Sequence, residues 1–274
     1  MTISQLEKAQ RFRALHERPG VFIIPNPWDI ASTLLLKGMG FEAIATSSAA
    51  SACAMRKRDG QLTRDEALNH AVMIVEATDL PVSADLERGF GDAPETVAET
   101  VRLAGTAGLV GCTIEDTTGD ASHPIYDFEL AVERITAAAE SAKSFDFPFI
   151  LTARAHSLMF PNPSLDEIIR RLQAFEKAGA DVLFAPGLPD LNTVREVCAS
   201  VTKPVNFMVG LKGRSFSVAE LAAAGVKRIS LATSLYRAAM TGFLTAISEV
   251  KESGRFEFVE NSVSTVDLLR LMGA

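Results

Sequence analysis

Cysteine is scarce in this chain: Cys53, Cys112 and Cys198 are the only three among 274 residues. They lie far apart and in no metal-ligand spacing. An odd count without a secretion signal suggests reduced thiols in a reducing compartment. Long apolar runs are absent too, and none approaches the roughly 20 residues needed to span a bilayer. The opening Met1–Gln10 reads as an amphipathic helix and not as a signal peptide. Positive charge is short, since 27 Lys and Arg against 34 Asp and Glu leave a net charge of −7. There is thus no basic footprint for nucleic acid. No linker or low-complexity stretch divides the chain. These absences lead us to expect a cytoplasmic protein of one domain, residues 1–274, with neither a nucleic-acid nor a membrane partner.

What the chain has is apolar content, 47% of its residues, enough for a large core and too much for disorder. A short pattern recurs, a helix ending in Gly followed by an apolar run: Lys37–Ala45, Ala107–Ile114, Ala178–Phe184 and Ala224–Leu231. Glycine supplies the left-handed cap and the run behind it suits a buried parallel strand. Strands are expected at Val21–Pro25, Ala43–Thr46, Val82–Asp85, Gly111–Glu115, Phe149–Arg154, Val182–Ala185, Val205–Met208 and Arg228–Ala232. Three-to-four spacing of apolar residues predicts helices at Ile30–Lys37, Arg64–Thr78, Ala93–Ala107, Phe128–Ala142, Leu165–Lys177 and Val218–Ala223. Asp29, Thr63, Asp127 and Ser164 stand as their N-caps. Eight strands with intervening helices in ~250 residues is the arithmetic of an α/β fold of the (β/α)8 barrel type. The alternative, a doubly wound sheet, favours a Gly-rich phosphate turn after the first strand, and Pro25-Asn-Pro-Trp-Asp29 is nothing of the kind.

In such a barrel the C-terminal ends of the strands face the active site. Read in order they offer Asn26 and Asp29, Ser47 and Ser48, Asp85 and Glu87, Glu115 and Asp116, Arg154 and His156, Asn206, and Thr233 and Ser234. Several charges in a buried mouth need a ligand or partner to offset their desolvation. Asp85, Glu87 and Glu115 suit magnesium, directly or through water, with manganese as the alternative ion. Arg154 presents a planar fork of donors for a substrate carboxylate. Ser47, with the backbone N–H groups of Ser48 and Ala49 behind it, can bind another substrate oxygen. A metal beside an α-keto carboxylate would stabilise an enolate, the intermediate shared by decarboxylation and carbon–carbon cleavage.

The segment Ser83-Ala-Asp85-Leu-Glu87-Arg-Gly89-Phe-Gly91, with Ile114-Glu115-Asp116 and Ala153-Arg154, resembles the isocitrate lyase/phosphoenolpyruvate mutase superfamily. The resemblance runs from Pro25 to the last strand. It implies a (β/α)8 barrel with a C-terminal helix swapped between subunits, a homodimer or homotetramer, bound magnesium, and a small carboxylic-acid substrate. By position, Asp85 matches the direct metal acid, and Glu87 and Glu115 match acids acting through water. Asp59 matches an acid on the loop after the second strand. Ser47 and Ser48 match the turn that binds keto-acid oxygens, Arg154 the carboxylate-binding arginine, and Asn206 a polar residue near the substrate's distal end. The helix-like tail Ser264–Met272 would reach a neighbouring subunit.

The chain departs from this pattern in the loop after Glu115. Lyases of the family carry a Lys-Lys-Cys-Gly-His-type gate there, whereas this chain reads Asp116-Thr-Thr-Gly-Asp-Ala-Ser-His-Pro-Ile-Tyr-Asp127. Neither that cysteine nor the Lys with Asn or Thr of the phosphonate branch is present. Phe184-Ala-Pro-Gly187 and His156 also stand where relatives carry charged groups. Two histidines remain as candidate proton carriers: His156, otherwise a hydrogen-bonding support, and His123, otherwise a surface residue of the loop. Three functions follow. A magnesium-dependent decarboxylase or C–C lyase of a small α-keto or 2-hydroxy acid, resembling the family's oxaloacetate decarboxylases, leads. A P–C mutase or hydrolase of the phosphonopyruvate type, and a barrel that binds a metabolite without turning it over, are the alternatives.

Overall fold

A computed structural model describes residues 3–214 and 216–273. Met1, Thr2 and Ala274, the outermost residues of the expected single domain, lie outside the described residues. The elements in chain order are α1 Gln5–Glu17, β1 Phe22–Ile24, α2 Ile30–Gly38, β2 Ile44–Ala45, α3 Ser48–Ala54, α4 Arg64–Glu76, β3 Val82–Asp85, α5 Pro94–Thr106, β4 Gly111–Glu115, α6 Phe128–Lys143 and β5 Ile150–Arg154. They continue with α7 Leu165–Ala178, β6 Val182–Phe184, α8 Leu191–Ala199, β7 Val205–Met208, α9 Val218–Ala223, β8 Arg228–Ser230, α10 Ser234–Ser253 and α11 Thr265–Met272.

All eight strands are parallel and run in the order β1-β8-β7-β6-β5-β4-β3-β2. The two edge strands close through single contacts, Ala45 N–H donating to the Pro25 carbonyl at 3.0 Å and Asn26 Nδ2 donating to the Ala45 and Thr46 carbonyls, each at 3.0 Å. The result is the expected (β/α)8 barrel. Side-chain alternation decides what the barrel holds. Val82, Ala84, Cys112, Ile114, Leu151, Ala153, Val205, Phe207 and Ile229 face outward into the core under the helices. Their neighbours Ser83, Asp85, Thr113, Arg154, Asn206, Arg228 and Ser230 face inward and line a cavity. Period-two alternation therefore makes a polar well inside an apolar shell. Below the well, α1 closes the barrel with Ala9, Phe12 and Leu15, packed against Ile24, Val110, Ile150 and Val182.

The local signals act as their chemistry requires. Asp29, Thr63 and Ser164 accept the backbone N–H of Ser32, Glu66 and Glu167. Asp127 occupies the cap position but its side chain makes no cap hydrogen bond; its carbonyl alone accepts from Ala131 N–H. Gly179 ends α7 at φ 109°, a left-handed conformation that only glycine takes without strain. Three helices were not expected from spacing: α3, α8 and α10. α3 is a run of Ser, Ala and Cys without apolar periodicity, and α10 buries none of its residues. The tail expected at Ser264–Met272 forms α11, with Ser264 as its N-cap, and it lies on α2 of the same chain. A Cβ at Gly38 would sit 1.8 Å from the Leu271 carbonyl oxygen, so only glycine permits that approach.

Candidate active site

The strand ends carry the site. Asp85 closes β3, Glu115 closes β4 and Arg154 closes β5, and the ladder places Glu115 directly beside Arg154. The chain then turns at Glu87, which adopts φ 50°, in the left-handed region. A non-glycine residue there is held by its surroundings at a cost of order 1 kcal/mol or more, and such positions cluster at functional sites. Glu87 donates its N–H to Asp85 Oδ1 at 3.2 Å, and its carbonyl accepts from Glu115 N–H at 2.9 Å. The buried Arg134 of α6 fixes this turn from behind, donating to the carbonyls of Arg88, Gly91 and Asp92. Its guanidinium lies 4.2 Å from the Tyr126 ring centroid.

Arg154 is the hub. Its Nη1 is 3.2 Å from Glu115 Oε2 and 3.8 Å from Asp85 Oδ2, while its Nη2 is 3.3 Å from His156 Nε2. Because arginine can only donate, Nε2 accepts, and the His156 Nδ1–H donates to Glu115 Oε2 at 3.1 Å. His156 N–H is in turn held by Asp116 Oδ1 at 2.8 Å, and Asp116 pairs with Arg171 of α7 at 3.3 Å. Asp85 Oδ2 accepts from the Ser48 N–H and hydroxyl, at 3.3 and 3.1 Å. The Asp85 N–H donates to the Thr46 hydroxyl at 3.1 Å.

The three carboxylates are not equivalent. Burial acts upward on Glu115, but the Arg154 guanidinium, the His156 N–H and the Thr117 hydroxyl outweigh it and hold the group down at about 2. Burial pushes Asp85 up, with Arg154 opposing and Glu115 and Asp59 adding to the push. Glu87 is raised to about 8 by burial and then by Asp85, Asp59 and Glu115. One oxygen of Glu87, Oε1, is buried without any partner. The site thus gathers three carboxylates around one guanidinium, which lies 3.2 Å from Glu115 and 3.8 Å from Asp85, so negative charge is in excess.

A hard divalent cation fits that excess. Carboxylate and hydroxyl oxygens are its preferred donors, and the orphaned Glu87 oxygen is a ready acceptor. Among the described residues, no three His, Cys, Asp or Glu side chains converge as direct metal ligands. The arrangement suits an ion that keeps several waters rather than a fully protein-ligated one.

Two cavities that share Ser48, Asp59, Arg154 and His156 open onto these groups. One, of about 270 Å³, is also lined by Ser47, Ala49, Asp85 and Asn206. The other, of about 330 Å³, is lined by Glu87, Glu115 and Thr117. Ser47 caps α3, accepting from Ala50 N–H at 3.4 Å, and directs the first residues of that helix at Asp85. The candidate metal-binding, substrate-binding and catalytic residues are brought together except for His123, while Asp29, Asp116 and Ser234 of the strand ends line neither cavity. The His123 side chain is 85% exposed, hydrogen-bonds to Ser122, and lines neither cavity. Its loop is pinned to itself instead, Thr118 N–H donating to the Pro124 carbonyl. Asn206 reaches the well but is already engaged, accepting from Arg228 Nε at 2.8 Å and donating to Ser230 Oγ at 3.0 Å. Thr46, Arg134 and Arg228 were not singled out. Period two from Asn206 and Arg154 points to the inward strand positions, but nothing local marks Arg134, whose partners lie more than 40 residues away.

Known proteins share this fold. The family model described as phosphoenolpyruvate phosphomutase matches residues 12–251. A solved structure of a provisionally named lyase/mutase from Burkholderia cenocepacia J2315 is 50% identical, with a TM-score of 0.96, over 98% of each chain. The 2-methylisocitrate lyase of Bacillus subtilis is 31% identical over 74% of this chain and 67% of its own length. The oxaloacetate decarboxylase of Pseudomonas putida is 30% identical over 71% of this chain and 68% of its own.

Proposed function

The chain belongs to the phosphoenolpyruvate phosphomutase family, within the isocitrate lyase/PEP mutase superfamily of lyases and mutases, and on that premise we propose that it is a magnesium-dependent decarboxylase or C–C lyase of a small α-keto or 2-hydroxy carboxylic acid. The observation that carries this reading is the cluster of Asp85, Glu87 and Glu115 around Arg154, with a buried carboxylate oxygen left unpaired. Asp85 would hold magnesium or manganese directly, and Glu87 and Glu115 through water. When bound, the ion supplies positive charge where negative charge develops as a C–C bond breaks.

The chain's own groups do the rest. Arg154 has its Nε free and two Nη atoms on exchangeable partners, so it can turn its fork to a substrate carboxylate. Ser47, Ser48 and Ala49 present hydroxyl and N–H donors to substrate oxygen. Asp59 faces both cavities and adds negative charge at their junction. His156, oriented by Glu115 through Nδ1, is our candidate to carry a proton at Nε2. Asn206 borders the distal end. His123, exposed as it is, would act only if the loop closed over the mouth.

A second reading, cleavage or rearrangement of a P–C bond, is favoured by the description of the matching family model itself. One panel separates the readings: α-keto, 2-hydroxy and phosphono acids, assayed for pyruvate release with and without EDTA. Metal-dependent turnover of a carboxylic acid that Asp85→Ala abolishes is expected. Turnover of phosphonopyruvate alone selects the second reading. Pyruvate binding without turnover of any acid, or turnover indifferent to EDTA and to Asp85→Ala, contradicts the proposal. We also propose a homodimer or homotetramer, in which a second copy covers the exposed Phe243, Leu244 and Ile247 of α10.

A further inference from the structure

The floor of the well holds a charge that the groups above it do not explain. Arg228 opens β8, is 4% exposed and lines the same cavity as Asp85 and Arg154. Its guanidinium crosses the barrel interior. Nε donates to Asn206 Oδ1 of β7 at 2.8 Å, Nη2 to Thr152 Oγ1 of β5 at 3.0 Å, and Nη1 lies 3.4 Å from His16 Nε2 of α1. Every one of these partners is neutral. Among the described residues no Asp or Glu forms an ion pair with Arg228, although Arg154 pairs with Asp85 and Glu115, and Arg171 with Asp116 and Glu167.

The neutrality of His16 is itself arranged. Its Nδ1 is 2.8 Å from the Phe12 carbonyl, which can only accept, so Nδ1 carries the proton and Nε2 offers its lone pair to Arg228. Burial, and then the charge of Arg228, pull His16 down to about 3, so it stays uncharged. Burial lowers Arg228 to about 9, which leaves it charged at neutral pH. A buried ion satisfied by hydrogen bonds but lacking a counter-charge is costly in a protein interior. It becomes favourable once an anion occupies the cavity above it.

We infer that Arg228 is a specificity-determining residue, a buried cation whose counter-charge is the second negative charge of a dianionic ligand in the pocket. This inference rests on the reading of the pocket as an α-keto acid site and deepens it. Arg154 lies among the carboxylates and is largely neutralised by Glu115. Arg228 is not neutralised, so its field selects doubly over singly charged ligands of the same shape. At separations of the order of 10 Å inside a protein, a unit charge changes the affinity of another by about tenfold.

The test compares oxalate with its isosteric monoanion oxamate, each titrated calorimetrically in the presence of magnesium. The wild type is expected to prefer oxalate, and Arg228→Gln to lose about tenfold of that preference. Arg228→Lys, which keeps the charge, should retain it. His16→Glu provides a route that replaces no residue of the pocket lining. It sets a carboxylate against Nη1 from below, neutralises Arg228 in place, and should cause the same loss, whereas His16→Gln should not. A folded Arg228→Gln or His16→Glu protein with the wild-type preference overturns the inference while leaving the pocket reading intact. A wild type that binds neither probe overturns the pocket reading, and the inference with it.

Discussion

Replacing Glu87 by Gln should stabilise the metal-free protein at alkaline pH, although it removes a group of the candidate active site. The unfolded chain releases the Glu87 proton near its ordinary value of 4.5, whereas the folded chain keeps it to about 8. Between those values the folded state binds more protons than the unfolded one, so stability falls as pH rises. The cost is absent below the lower value and complete above the upper one. At 1.36 kcal/mol per pH unit, that separation is worth about 5 kcal/mol at most. Water at the mouth, where Glu87 keeps 8% exposure, relaxes part of it, and we expect about 2 kcal/mol. Glutamine has the same length, takes the same strained φ and leaves the same buried atom without a partner, so those costs cancel. The assay is urea denaturation in EDTA at about pH 5 and about pH 8.5. The variant should match the wild type at the lower pH and exceed it at the higher, and added magnesium should narrow the gap by stabilising the wild type. A variant less stable than the wild type at alkaline pH, or a difference that ignores pH, would refute the electrostatic reasoning.

Leu151 is fully buried between barrel and helices, so Leu151→Ala should cost about 2–5 kcal/mol in chemical denaturation. Thiol reagents at neutral pH should label the exposed Cys53 first; Cys198, raised to about 11 by burial, should react slowly, and the buried Cys112 only on unfolding. If a second copy covers α10, Ile247→Glu should shift the protein to monomer in sedimentation equilibrium without loss of its helical signal.

Much of the barrel and its acidic mouth was legible because both are written in local pattern. Val82–Asp85, Gly111–Glu115 and Val205–Met208 form strands with the expected bounds, each being a short apolar run that a parallel sheet buries on both faces. The same alternation put Asp85, Glu115 and Arg154 at the strand ends. What escaped notice depends on contacts distant in sequence. Arg228 reaches Thr152 across 76 residues and His16 across 212, so alternation along β8 can turn it inward but cannot name its partners. Arg134 looks like an ordinary polar position of an amphipathic helix until the Gly89–Asp92 turn folds over it. α10 was missed as well; none of its residues is buried, and Tyr236 makes an edge-on contact with Trp28. His123 was read from residue type alone, and type does not say which way a loop points.

The central claim is that Asp85 and its neighbours form a divalent-cation site that an α-keto acid completes. Manganese titration followed by electron paramagnetic resonance tests it most directly, on the wild type and Asp85→Asn, with and without pyruvate. The account predicts one ion bound per wild-type chain, tighter with pyruvate present, and no such site in the variant. Equal binding by the two proteins, or binding that pyruvate leaves unchanged, would contradict it.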